Sequence, residues 1–288
     1  MNKRAEVLLL HQFRTSPFNE KVRWALAFKD LPYQQVSYVP GAHREALRRL
    51  SGQTATPVVQ AGTRVIAGSA AIIEFLERLR PAPALYPAHV TDRSRALEVQ
   101  RSWDLQMGPA ARTLLFAAAA TAMDSAAPRT PGRTPGRTPS RTDGTRDRQH
   151  YWTVVAFLGG VDATQAAQAG DVYWPDGPDQ PAKVVAARDA VSRGLDWLAA
   201  SINADQQLIT AAFTVADLTC AALLTPLIDL DAAGADLDAA GADLDAPGAA
   251  ADAATPEPVR ALRVHYREHP AVQWVLGQYR RHWPERAT

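Results

Sequence analysis

Ahead of the first helical pattern, Val7 to Leu10 form a short apolar run that predicts a buried strand at about residues 6–12. Phe18, Val22, Ala25 and Leu26 then recur at i, i+4, i+7 and i+8, one face of a helix, while Glu20, Lys21 and Arg23 fall largely elsewhere. "LPYQQVSYV" predicts a strand near 33–39 and "GAHREALRRL" a short basic helix. "TPVVQAGTRVIAG" predicts two short strands around an Ala-Gly turn. "SAAIIEFLERL" predicts a helix from Ser69, with Ile72, Ile73, Leu76 and Leu79 along one side. This order predicts a compact α/β unit with a mixed sheet over residues 1–80.

"RPAPALYPAHVTD" carries three prolines and no periodicity, so residues 81–92 read as a linker. From residue 93 to 288 the apolar spacing is helical, as in Val191, Leu195, Leu198 and Ile202, or Val272, Val275, Leu276 and Tyr279. The second unit is therefore expected to be all-α. Two repeats interrupt it, near 125–149 and 229–256. The first repeats Arg-Thr-Pro-Gly and sets six arginines against Asp143 and Asp147; the second repeats Asp-Leu-Asp-Ala-Ala-Gly-Ala from Asp229. Proline and glycine in one, and few large apolar groups in both, make solvated inserted loops the plain expectation. Attraction between the two is the sharper one. The acidic repeat lacks the closing glutamate of a calcium loop, and the basic one lacks aromatic residues for stacking on bases.

The 288 residues are 47% hydrophobic, enough for two modest cores. Thirty-one basic and 30 acidic residues give a net charge of +1, so the overall balance points to neither nucleic acid nor an anionic membrane. Cys220, the single cysteine, excludes an intrachain disulfide and any cysteine-based zinc cluster. It falls in an apolar run and reads as a buried, inert thiol. The opening apolar run is too short for a signal peptide, and "LLFAAAATAM" falls below the roughly 18 residues of a membrane span. The protein is expected to be soluble and cytoplasmic.

Candidate chemistry begins at "TSPFNEKVRWAL". Ser16 and Pro17 suit the N-cap and first position of a helix, which is sufficient reason for both. Their place directly after a strand also exposes the helix N-terminus at the sheet's edge, where an anion such as a thiolate is stabilised. The Ser16 hydroxyl can add a hydrogen bond to it. In "ATPVV", a cis Pro57 would turn the backbone of Thr56 towards the same helix start, although an edge strand also explains the proline. Ser69, in "AGSAAIIEFL", reads as the N-cap of the third helix, suited to a carboxylate. Asn19 lies one turn beyond Ser16, equally placed for the pocket or for solvent. Tyr151, Trp152, Tyr173 and Trp174 fit either an acceptor site or core packing.

Together these motifs resemble the glutathione transferase superfamily over nearly the full length apart from the repeats. "SPFNEKVRWAL" stands where that family has its catalytic motif, "TPVV" where it has a cis proline, and "GSAAII" where it binds the γ-glutamyl group. "FTVADLTCAALL" matches its capping box through Thr214 and Asp217, and "HPAVQWVLGQYRRH" resembles its last helix. The resemblance implies a thioredoxin-like α/β domain followed by an all-α helical bundle.

It also implies glutathione as co-substrate without a metal, a small apolar electrophile as partner, and the homodimer that the family often forms through its first domain. By position, Ser16 matches the serine of serine-type members and the cysteine of glutaredoxin-like ones, so mixed-disulfide chemistry has no nucleophile here. Thr56 would pair through its backbone with the cysteinyl residue, Pro57 would be the cis proline, and Ser69 would hold the γ-glutamyl carboxylate. His43, Arg44 or Gln53 would meet the glycine carboxylate. Two departures stand out: Ala55, where relatives often have Lys or Gln, and Gly68, where an acidic residue commonly engages the γ-glutamyl amine. The implied activity is thiol activation for attack on the electrophile. The alternative, which the two departures and the repeats favour, is a non-catalytic transferase-fold protein for ligand binding or assembly.

Overall fold

The structure is a computed structural model that describes residues 7–38, 43–125, 154, 157–158, 181–229, 242–243 and 255–283. The basic repeat, most of the acidic repeat, and the aromatic residues Tyr151, Trp152, Tyr173 and Trp174 lie outside the described residues.

The first part runs β1 (Leu8–Gln12), α1 (Pro17–Phe28), β2 (Tyr33–Ser37), α2 (His43–Ser51), β3 (Val58–Ala61), β4 (Arg64–Ala67) and α3 (Ser69–Leu79). β1 is central because both of its edges pair. It is parallel to β2, with Leu10 opposite Gln35, and antiparallel to β3, with Leu10 opposite Val59. β3 and β4 form a hairpin closed at Ala61 and Arg64, where Gly62 takes a φ of +57°. Within the acidic repeat, β5 (Ala242–Asp243) runs parallel to β2, completing the order β4-β3-β1-β2-β5. Those two residues are thus strand, where the repeat pattern predicts loop.

Among the described residues the helical part includes α4 (Val90–Leu105), α5 (Met107–Ser125), α6 (Pro181–Ser201), α7 (Val215–Leu223), a 3₁₀ turn (Thr225–Leu227), α8 (Glu257–Tyr266) and α9 (Pro270–His282). The architecture is a thioredoxin-like sheet-and-helix domain followed by a helical one. Between them, the stretch read as a linker is firmly held. Leu85 is fully buried, its carbonyl accepts from the Val215 amide at 2.8 Å, and its amide donates to the Glu77 carboxylate. The buried Lys29 ammonium donates to the carbonyls of Arg80 and Pro83, both at 2.8 Å. α4 already begins at Val90, inside the expected linker, with Asp92 in its first turn where the helix dipole favours a negative charge.

One hydrophobic core crosses both parts, joining Leu10, Trp24, Leu26 and Ile72 to Leu198, Leu218, Val272 and Tyr279. Every residue of α7 is buried, because α7 is wedged against both α1 and α4. The apolar face expected of α1 is buried as its spacing predicts, with Val22, Ala25 and Leu26 inaccessible. The charged positions read as lying elsewhere are buried too: Glu20, Lys21 and Arg23. The helical domain covers the second face of α1 and supplies partners for them. Lys21 Nζ meets Asp104 at 2.7 Å, and the Tyr279 hydroxyl donates to Glu20 Oε1 at 2.8 Å. The capping box of α7 forms as expected: Thr214 N–H donates to Asp217 at 2.8 Å, and the Thr214 hydroxyl accepts from Ala216 N–H.

Candidate functional site

Ser16 occupies the N-cap position of α1 in extended backbone, with φ −77° and ψ 123°, and Pro17 opens the helix. Its carbonyl accepts from the amides of Asn19 and Glu20, both at 3.0 Å. Its side chain makes no capping bond. The hydroxyl is therefore not spent on the helix, although its residue type suits that use.

The turn before it is fixed residue by residue from α1. Asn19 Nδ2 donates to the Phe13 carbonyl at 3.1 Å, and Arg23 Nη2 to the Arg14 carbonyl at 2.8 Å. The Thr15 hydroxyl donates to the Leu158 carbonyl at 2.6 Å, tying the turn to the helical domain. Arg23 is in turn held by Glu20, whose second oxygen accepts from Tyr279 of α9. Burial and the Glu20 carboxylate both push the Tyr279 hydroxyl well above its ordinary value, so it remains a proton donor.

Asn19 settles on the buried side of the two positions open to it. It is inaccessible, and Nδ2 also reaches the Thr56 hydroxyl at 3.0 Å, bridging the turn to the segment that leads into β3. Its Oδ1 is buried and makes no hydrogen bond among the described residues. The Thr56–Pro57 peptide is cis, and the Pro57 carbonyl accepts from Gly68 N–H at 3.0 Å.

Gly68, rather than Ser69, takes the N-cap position of α3. Its φ of +90° belongs to the region that favours glycine, so the non-helical capping conformation falls there and Ser69 becomes the first helical residue. A Cβ at Gly68 would meet no atom within 4 Å. The position where the resemblance implies an acidic residue thus faces open space.

A cavity of about 250 Å³ opens beside Ser16 and Thr56. Phe13, Thr15, Ser16, Pro17 and Phe18 form one wall. His43 and Arg44 of α2, with Thr54, Ala55 and Thr56, form the second. The His43 ring meets Phe13 edge-on, 4.7 Å between centroids. The third wall comes from the helical domain: Arg112, Leu115 and Phe116 of α5, with Leu158.

Of the expected site residues, Ser16, His43, Arg44 and Thr56 share this cavity. Pro57, Gly68 and Ser69 stand next to Thr56 through the Gly68–Pro57 bond but do not line it, and neither does Gln53. The α5 wall was not anticipated, although the i, i+3, i+4 spacing of Arg112, Leu115 and Phe116 marks one helical face. Cys220 lies away from the cavity, fully buried, its thiol pushed up by burial. Among the described residues no group of three His, Cys, Asp or Glu side chains is placed to hold a metal, and no helix is long and apolar enough to cross a membrane.

Residues 10–84 match the model of the glutathione S-transferase N-terminal domain. A maleylpyruvate isomerase of Ralstonia sp. is 35% identical over 89 residues, covering 30% of this chain and 42% of the relative. A glutathione S-transferase of Pseudomonas putida is 27% identical over 107 residues, covering 37% and 48%. The chain thus spans less than half the length of the curated relatives it matches. In fold it is similar to the β-etherase LigF of Sphingobium sp., with a TM-score of 0.53 and 14% identity over 94% of this chain and 99% of that one. A glutathione transferase of Phanerochaete chrysosporium gives 0.53 and 15% over 99% and 100%.

Proposed function

With residues 10–84 a glutathione S-transferase N-terminal domain, in a chain that carries the fold of that superfamily, we propose that the protein is a glutathione transferase-type enzyme. It binds glutathione in residues 1–80 and presents its thiolate to an electrophile held against the helical unit, residues 93–288, with 81–92 between them. The observation that carries this reading is Ser16, which lines the shared cavity at the start of α1 and whose hydroxyl is unused as a cap.

The chemistry follows from that position. The thiol gives its proton to solvent, and the thiolate accepts a hydrogen bond from Ser16 while facing the positive end of α1. A charge-assisted bond of about 1.5–3 kcal/mol lowers a thiol pKa by roughly 1–2 units. The sulfur lone pair then forms the S–C bond. In substitution the leaving group departs with its bonding pair; in addition the C=C pair moves to the neighbouring carbon, which takes a proton from water.

Thr56 is assigned the backbone pairing beside cis Pro57, Ser69 the γ-glutamyl carboxylate at the α3 N-terminus, and His43, Arg44 and Gln53 the glycine carboxylate. Gly68 supplies no carboxylate for the amine. That open space favours a second reading, a transferase-fold binding protein without turnover. Isothermal titration with glutathione and S-methylglutathione separates the two. Saturable binding that weakens on S-methylation, with turnover that falls in Ser16→Ala, supports the enzyme; binding without turnover of any electrophile supports the second reading.

A homodimer and a cytoplasmic location belong to the same proposal. Leu79, Val90, Leu97 and Leu105 leave apolar surface exposed on α3 and α4. Sedimentation velocity giving only a monomer at micromolar concentration would remove the dimer.

A further inference from the structure

Thr56 brings a side chain to the cavity as well as the backbone assigned to it. Its hydroxyl oxygen accepts from Asn19 Nδ2 at 3.0 Å, and the same Nδ2 donates to the Phe13 carbonyl at 3.1 Å. A carbonyl oxygen can only accept, so the Phe13 contact fixes which end of the Asn19 amide faces the turn. Both hydrogens of Nδ2 are thereby used, and the Thr56 oxygen is committed as an acceptor towards Asn19. The Thr56 hydroxyl hydrogen has no acceptor among the described residues, and Thr56, half-buried, lines the cavity together with Ser16. Thr15, on the same wall, spends its hydrogen on the Leu158 carbonyl instead.

Asn19 shows which half of its amide the fold uses. It is inaccessible, and its Oδ1 is buried without a hydrogen bond among the described residues. A leucine would fill a similar volume without stranding an acceptor, so packing does not account for the amide. The donor half does account for it, because the Phe13 carbonyl that accepts from Nδ2 also accepts from the Ser16 amide at 3.3 Å. Thr56 Oγ1, Asn19 Nδ2, the Phe13 carbonyl and Ser16 N–H thus form one hydrogen-bonded chain, and the hydroxyl before cis Pro57 is carried by the turn on which Ser16 stands. A thiolate at the start of α1 accepts more than one hydrogen bond, and a donor already oriented by a buried amide needs no reorganisation to serve it.

We propose that the Thr56 hydroxyl is a second hydrogen-bond donor to the thiolate that Ser16 binds, and that Asn19 is the positioning residue that turns it towards the sulfur. This rests on the glutathione reading and adds a residue to the same site.

The test is the pKa of the bound glutathione thiol, read from the ultraviolet absorbance of the thiolate as pH is varied. Thr56→Val removes the hydroxyl at nearly constant volume and is expected to raise that pKa by about one unit. Thr56→Ala repeats the test with a smaller side chain, and Thr56→Ser keeps a hydroxyl and recovers most of the wild-type value. Above the bound pKa values the Kd of Thr56→Val for glutathione is expected to rise about tenfold, and below them, where the thiol is protonated, to match the wild type. The Kd for S-methylglutathione stays unchanged throughout. His43 and Arg44 of α2 and Arg112 of α5 also line the cavity and are common to every variant, so differences between variants at one pH isolate the hydroxyl. Asn19→Leu is expected to raise the thiol pKa in the wild-type background and to add nothing in Thr56→Val, because its effect passes through that hydroxyl.

A thiol pKa that is lowered in the wild type and unmoved in Thr56→Val and Thr56→Ala overturns the proposal and leaves thiol activation by Ser16 in place. Equal losses of affinity for glutathione and S-methylglutathione overturn it too, since a merely structural role for Thr56 weakens both alike. An Asn19→Leu effect that persists in full in Thr56→Val overturns the role given to Asn19. Wild-type binding with the thiol pKa of free glutathione, or no binding at all, removes the glutathione reading and this inference with it.

Discussion

Replacing Tyr279 by phenylalanine deletes one hydroxyl and keeps the ring that stacks 4.1 Å from Trp24, so no cavity opens. What is lost is a 2.8 Å hydrogen bond to the buried Glu20 carboxylate. Bonds to charged groups contribute about 1.5–3 kcal/mol, and Glu20 retains its contact with Arg23 at 2.8 Å, so a loss near 2 kcal/mol is expected. With a urea m-value of about 2–3 kcal/mol/M, the midpoint should fall by roughly 0.7–1 M. The functional consequence passes through Arg23. With Glu20 less restrained, the guanidinium holds the Phe13 and Arg14 carbonyls less firmly, and the turn that carries Ser16 loosens. Amide hydrogen exchange reads this directly: protection at residues 13–16 should fall by more than the global loss of stability accounts for. A variant with a lower midpoint but exchange at 13–16 that follows the global change would refute the coupling between α9 and the turn. An unchanged midpoint would refute the strength assigned to the bond itself.

Three further outcomes are expected. Burial raises Asp217 from 3.8 to about 6 despite its hydrogen bonds from Thr214 and Leu208. The folded chain then holds this proton more tightly than the unfolded one, and that contribution is lost as pH rises through about 4–6; wild type should lose about 1.3 kcal/mol relative to Asp217→Asn between pH 5 and pH 7, whereas a pH-independent difference would refute the shift. Lys21 is fully buried, its pKa lowered first by that burial, while Asp104 keeps 18% of its side chain exposed. Asp104→Ala strands an interior ammonium and should cost about 3–5 kcal/mol, far more than Lys21→Met, and the opposite order of melting temperatures would contradict this asymmetry. In Gly108→Ala the new methyl group meets the stiff Phe18 ring at 2.5 Å, and in Gly194→Ala it meets the flexible end of Met107. Calorimetry should show the first variant losing about 1–3 kcal/mol and the second less; equal losses would count against the difference in neighbours.

The fold was legible where local spacing governs. β1, the apolar face of α1, the β3–β4 hairpin and the Thr214–Asp217 capping box all follow from neighbours a few residues apart. Charge burial on α1 was not legible, because the partners of Lys21 and Glu20 are 83 and 259 positions away and only the packed helical domain brings them close. The cap of α3 was read one residue late, since side-chain preference favours Ser69 while the backbone conformation belongs to Gly68. In the site, Ser16 and Thr56 carry signatures at a sheet edge. Arg112 carries none: one arginine beside an apolar run is ordinary for a packed helix, and only the approach of α5 to Phe18 gives it a place.

The indole N–H of Trp24 donates to the His282 carbonyl across 258 positions, with Tyr279 and Trp283 packed on the ring. During synthesis, α1 is therefore made long before the helix that covers it. At about 5–20 residues per second the interval is roughly 10–50 s. Throughout that time the face bearing Glu20 and Trp24 lacks its cover, and nascent chains arrested before Pro270 are expected to be cut by protease within α1, whereas released chains resist. The clamp that Tyr279 adds to the Ser16 turn is thus made 259 positions after Glu20, which places completion of that turn well after synthesis of the first domain.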